Sequence, residues 1–241
     1  MGHAVARADE STSGRAFPQR ASLGQSQVFG LLASIVDQPA YPCLGAHSVF
    51  RRERATIGMF GELGTRASAA ALLEHLAEFS AVTGQRAGLA SFVAGFEGPV
   101  IASETHFEAL LWQQLQLIHD ADGEGWNAEV SDDPADKRFA FSAADAAFFV
   151  VGLHPSASRL ARRFPIPVLV FNPHAQFEEL RQAGRYTRMR DAIRIRDERF
   201  QGCCNPMVSD HGVSSEARQY SGRAVSEAWI APFQARTVRD R

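Results

Sequence analysis

Three compact apolar runs, Phe139–Phe141, Phe148–Leu153 and Val168–Phe171, follow one another with no helical stretch between them. Each is too short for a helix and is rich in aromatic or β-branched residues, so each predicts a buried strand. Asp145 splits the first pair, and a His-Pro turn with an arginine-rich segment splits the second. A doubly wound parallel sheet requires strands that alternate regularly with helices, and this order does not supply that. The predicted class is α+β, a single domain with a mixed sheet flanked by helices.

The helices are read from period. Val28, Leu31, Leu32 and Ile35 share one face of a segment that stops before Pro39. Thr65 can cap a second segment running to Ala81, whose face carries Ala69, Leu72, Leu73, Leu76 and Phe79. Glu104–His119 gives the clearest stripe, Phe107, Leu110, Leu111, Leu115 and Ile118. Between these two, Ser91–Phe96 is bounded by glycine and proline and predicts a strand. An acidic stretch with seven carboxylates in eighteen residues, 120–137, predicts an exposed loop. From Ala175 to about Phe200 the chain is helical again, broken at Gly184. Residues 1–27 and 234–241 are expected to be disordered tails around a domain spanning 28–233.

With 45% hydrophobic and 22% charged residues the chain has a globular composition. A net charge of −2 provides no overall field for nucleic acid or an anionic membrane. No run approaches the roughly 18 apolar residues of a membrane span, and the N-terminal stretch lacks the apolar centre of a secretory signal. A cytoplasmic protein is expected. Lys137 is its single lysine, so the cations are almost all arginines, the side chain that pairs bidentately with carboxylates. Cys43, Cys203 and Cys204 form no even framework and no Cys-x-x-Cys pair, so they read as thiols rather than as a disulfide scaffold or a zinc site.

Familiar catalytic signatures are absent. There is no glycine-rich nucleotide loop and no G-x-S-x-G elbow. His106 and Glu108 have the spacing of an iron triad, completed by His174 or His211, but positions two apart on a helix do not face one another. Two stretches exceed what a core requires. Tyr41-Pro42-Cys43-Leu44-Gly45 fixes the backbone on both sides of a thiol, for which a small buried cysteine is the plain alternative. Leu153-His154-Pro155 ends an apolar strand on an imidazole and then brings Arg159, Arg162 and Arg163. These point to an anionic group, or to a solvated face paired with the acidic loop.

Six segments in order, YPCLGAHS, SFVAGFEGP, ETHFEALLWQQLQLIHDAD, FFVVGLHPSASRLARRF, LVFNPHAQFEELR and NPMVSDHGVSSEARQYSG, resemble the YqcI/YcgG family over about Tyr41–Phe233. Within it they look most like the guanitoxin-biosynthesis branch, the GntA-type N-hydroxylases. The resemblance implies a heme-dependent N-oxygenase (a monooxygenase) that uses heme b, dioxygen and an external electron donor. Its substrate would be the guanidino group of arginine or of an arginine-derived small molecule. On chemical grounds Cys43 is the preferred axial ligand, because a thiolate pushes electron density toward O–O cleavage, and His154 is the rival. Arg159, Arg162 or Arg163 would pair with the heme propionates. Trp112 would stack on heme or guanidinium. Glu104, Glu108 and Asn172, with Glu216, would receive the cationic substrate. A non-catalytic heme-binding sensor or carrier, and a thiol enzyme built on Cys43, are the competing classes. No macromolecular partner is implied, and a homodimer stays open.

Overall fold

The computed structural model describes residues 23–84, 88–203, 205, 207 and 214–236. Among these residues six α-helices and five strands run in the order α1 (Gln25–Val36), α2 (Leu44–Arg51), β1 (Ala55–Glu62), α3 (Arg66–Thr83), β2 (Ser91–Gly98), α4 (Glu104–Ala121), β3 (Phe141–Ala143), β4 (Ala146–Leu153), β5 (Val168–Pro173), α5 (His174–Gln182) and α6 (Tyr186–Gln201). The sheet order is β1-β2-β5-β4-β3. β1 and β2 are parallel, and the remaining pairs are antiparallel. The expected α+β domain with a mixed sheet is the one observed.

Side chains alternate across each strand, so the sheet has two apolar faces. One carries Phe92, Phe96, Phe148, Val150, Leu169 and Phe171 and packs against α3 and α4 in the main core. The other carries Val93, Leu153 and Val168, with Val151 and Val170 beside them, and meets Val28 and Leu32 of α1 and Phe164. α3 is capped by the Thr65 hydroxyl, which accepts from Ser68 N, and α4 by Ser103, which accepts from His106 N. Both caps satisfy orphan donors of a first turn.

The β3–β4 hairpin turns through two residues, Ala144 and Asp145, both at positive φ (51° and 57°). That conformation matches the twist of paired strands but is unfavourable for alanine. Two bonds from outside hold it: Ala144 N donates to Asp122 Oδ2 at 2.8 Å, and Asn127 Nδ2 donates to the Asp145 carbonyl at 2.8 Å.

Several boundaries differ from expectation. α1 starts at Gln25, so residues 25–27 are helical. At the other end, Gln234 N donates to Gln116 Oε1 and Arg236 N to His119 Nε2, tying residues 234–236 to α4. β1 and α2 were not anticipated. β1 holds Gly58, where a Cβ would meet the Phe60 and Phe92 rings at 2.8 Å; that required gap interrupts its apolar pattern. α2 has one buried residue, Val49, so it leaves almost no periodic trace. Gly184 does separate two helices, at φ 63°. Cys204 and His211 lie outside the described residues.

Candidate functional site

Between the second sheet face and helices α1, α2, α5 and α6 lies a cavity of about 310 Å³. Ligand pockets span about 300–1,000 Å³, so it is large enough to be one. Val93, Val151 and Val170 form its floor, Leu32 and Val49 one wall, and Met189 and Ile193 of α6 the roof.

Cys43 sits on the wall as the residue before α2. Its Sγ accepts from Ala46 N at 3.4 Å, taking the place of a hydroxyl cap. Burial raises the thiol above its ordinary range, and the Ala46 and Gly45 amides and the Arg162 charge oppose that. The same burial raises the neighbouring Tyr41 phenol, and the Cys43 thiol adds to it. Tyr41 Oη donates to the Ala161 carbonyl at 3.3 Å.

Arg162 is the central cation. Its guanidinium donates to the carbonyls of Gly152 (3.0 Å), Tyr220 (3.2 Å) and Gln219 (3.0 Å). It therefore ties the end of β4 to the segment around Tyr220. Burial lowers its pKa, countered by Tyr41, Cys43 and Asp197, yet a guanidinium starts so high that it stays charged. Arg159 pairs with Asp197 of α6 and donates to the Cys203 carbonyl at 3.2 Å. Asn172 accepts from Ser91 Oγ at 2.7 Å and donates to the Phe149 carbonyl at 3.1 Å. Glu216 faces Arg181 at 3.8 Å.

The cavity thus gathers Cys43, Arg159, Arg162, Asn172 and Glu216. The other expected residues are elsewhere. His154 packs on the α4 side, its ring stacked 4.2 Å from Phe107 and fully buried. Neither ring nitrogen has a hydrogen-bond partner among the described residues, and burial pushes its pKa down to about 4. Trp112 is a core residue stacked 5.6 Å from Tyr220. Glu104 accepts from Ser158 N (2.8 Å) and Oγ (2.7 Å). Glu108 accepts from Ser221 Oγ (3.1 Å) and Arg223 Nε (3.0 Å). Arg163 donates to the Ala157 carbonyl at 2.8 Å, and His106 Nδ1 accepts from Ala102 N. The reason is common to Trp112, Glu104 and Glu108: α4 covers the opposite face of the sheet. Among the described residues no group of three or more His, Cys, Asp or Glu side chains is placed to hold a metal ion.

A model of the YqcI/YcgG family matches residues 32–234, which include every residue of the cavity. The chain belongs to the YqcI/YcgG family. Two relatives from Bacillus subtilis strain 168 carry the family's names. "Uncharacterized protein YcgG" is 25% identical over 197 residues, covering 78% of each chain. "Uncharacterized protein YqcI" is 24% identical over 166 residues, covering 66% of this chain and 65% of its own. No solved structure matches.

Sequence reasoning missed Tyr41, Arg181 and Asp197 as cavity residues. The signal for α6 was available: Tyr186, Met189, Ile193 and Asp197 recur at helical spacing and mark one face.

Proposed function

We propose that this YqcI/YcgG-family protein is a heme-dependent N-oxygenase of the GntA type. It would hydroxylate a guanidino nitrogen of arginine or an arginine-derived compound in the cavity beside Cys43. The observation that carries the reading is a sulfur donor on the wall of an apolar cavity that also holds cationic and anionic side chains. The donor chemistry fits heme. Cys43 Sγ already accepts one amide hydrogen and lies in the field of Arg162, both of which favour a thiolate over a thiol. An iron ion would add the positive charge that overcomes burial. Apolar walls suit a macrocycle, and His154, packed against Phe107 outside the cavity, does not share that space.

Heme bound there would supply dioxygen activation, with a thiolate as the ligand that favours O–O cleavage. The reaction would place one oxygen atom in an N–H bond of the substrate and release the other as water, with two electrons from an external donor and two protons from solvent. The chain's own residues would bind and orient. Arg159 and Arg162 already serve Asp197 and three carbonyls. Their first task is therefore to hold the wall, and propionate pairing falls to Arg190, which lines the same cavity and pairs with its neighbour Asp191 at 2.8 Å.

The test is purification after expression with heme supplied. A Soret band and a thiolate-type ferrous–CO spectrum that is lost in Cys43→Ser are expected. Reductant, oxygen and a guanidine panel should then give a product heavier by one oxygen. No Soret band refutes the reading, and heme uptake without product across the panel identifies a carrier or sensor instead.

A further inference from the structure

We infer that Arg181 and Glu216 together read the zwitterionic head of a free α-amino acid, so that the compound entering the cavity keeps both its α-ammonium and its α-carboxylate. The inference rests on the proposed function and narrows its substrate. An α-amino acid presents opposite charges on neighbouring atoms, and the complementary surface is a cation and an anion side by side. Arg181 Nη2 and Glu216 Oε1 stand 3.8 Å apart in the cavity, with side chains only 16% and 15% exposed. A guanidinium can take the carboxylate in a planar fork, and a carboxylate can take the ammonium.

Stability does not account for such a pair. Replacing a buried ion pair with apolar side chains is often neutral or stabilising, because desolvation offsets the attraction. Both partners are also fixed from behind. Arg181 bonds Glu178 one turn earlier on α5, and its guanidinium carbon lies 4.6 Å over the Tyr186 ring. When a ligand draws Glu216 away, Arg181 keeps its place. Glu216 opens a short 3-10 turn whose first residue is preceded by Ser215, whose hydroxyl accepts from Ala217 N at 3.2 Å. The far end of that turn is held by Arg162 through the Gln219 carbonyl. Positions set in advance lower the cost of ordering on binding.

Calorimetric titration of the full chain, with and without heme, decides the matter using three probes. Arginine carries both head charges, agmatine lacks the carboxylate, and 5-guanidinopentanoate lacks the ammonium. Arginine should bind at least about tenfold more tightly than either, the loss expected for one charge-assisted pair. Arg181→Leu should bring arginine down to the level of agmatine, and Glu216→Gln should bring it to that of 5-guanidinopentanoate. Arg181→Lys, which keeps the cation without the fork, should retain part of the preference. Equal affinities for arginine and agmatine overturn the inference, as does failure of all three to bind, or an arginine preference that survives in Arg181→Leu. The wild-type comparison needs no variant, so a misfolded variant does not shield the inference. Heme uptake is read separately by the Soret band, so loss of the heme reading and loss of the amino-acid reading are distinct results.

Discussion

Gly152 lies at the end of β4 that Arg162 ties to the segment around Tyr220, and adding one methyl group there tests the packing directly. On the α4 side of β4, a Cβ at this position would sit 2.4 Å from Phe107 Cε1, 2.8 Å from Phe107 Cζ and 3.0 Å from the Tyr220 carbonyl oxygen. Carbon atoms in contact prefer about 3.5–4.0 Å, so the ring must retreat by roughly 1 Å. It has little room, being fully buried with His154 stacked on it at 4.2 Å. The Tyr220 carbonyl cannot yield either, since it accepts from Gly152 N at 2.8 Å and from Arg162 at 3.2 Å. Overpacking typically costs about 1–3 kcal/mol, and a rigid ring together with a fixed carbonyl puts Gly152→Ala at about 3 kcal/mol. For a chain of this length that lowers Tm by roughly 6–12 °C. Gly30 in α1 supplies the control, because nothing lies within 4 Å of its added Cβ. There the methyl group should stabilise by about 0.5–1 kcal/mol through helix propensity. Scanning calorimetry of both variants should move Tm in opposite directions. A Gly152→Ala protein melting within a degree or two of wild type would refute the packing argument.

Three further outcomes are expected. Arg162→Met removes a charged donor from three carbonyls, of which those of Tyr220 and Gln219 keep a backbone N–H, and should cost about 3 kcal/mol in urea unfolding; it should also raise the Cys43 thiol further, seen as slower alkylation of Cys43 at fixed pH. His154 titrates at about 4 in the folded chain against 6.5 ordinarily. Between those values the unfolded chain binds a proton that the folded chain does not, so stability should fall as pH drops through that window, by about 2–3 kcal/mol. Urea midpoints across pH should show this slope, and His154→Leu should flatten it. Glu108→Gln weakens the bonds to Ser221 and Arg223 and should cost about 2 kcal/mol, while heme and arginine affinities stay at wild-type levels; a selective loss of arginine affinity would return Glu108 to the binding site.

The fold was legible wherever one residue type repeated at one period. The stripes of α3 and α4 and alternate residues of β4 and β5 pack in the main core, while the others of β4 and β5 meet the second cluster, so these runs had to be apolar; β3 (Phe141–Ala143) keeps only Phe141 of the expected run 139–141, because the strand is set by its pairing with β4. β1 and α2 were hidden for physical reasons: one needs a glycine for two phenyl rings, and the other buries a single valine. For the site, Cys43 and Arg162 stood out because a Pro-Cys-x-Gly turn and an arginine cluster after a strand are unusual. Which face each side chain would occupy did not. Glu104 and Glu108 are one turn apart on a helix, as spacing requires, yet that helix lies across the sheet from the cavity. The pairing of Arg181 with Glu216, 35 positions apart in sequence, depends on how α5 packs and has no local signature.

The cavity itself follows from a difference between the two sheet faces. On the core face the strands carry five phenylalanines, Phe92, Phe96, Phe141, Phe148 and Phe171, and α3 and α4 answer them with Leu72, Leu76, Phe79, Phe107 and Leu111, which fill the space. On the other face the cavity floor is Val93, Val151 and Val170, which reach less far from the sheet, with Phe149 and Leu153 beside them. The helix above them, α6, has no fully buried residue and is dense in arginine and aspartate. Long charged side chains cannot close such a gap as aliphatic ones do, because each must find a counter-charge or a carbonyl. Asp197 on Arg159 and Arg196 on the Tyr41 carbonyl are such solutions. They hold α6 at a distance over the valines, and the volume left open is the one that Cys43, Arg181 and Glu216 face.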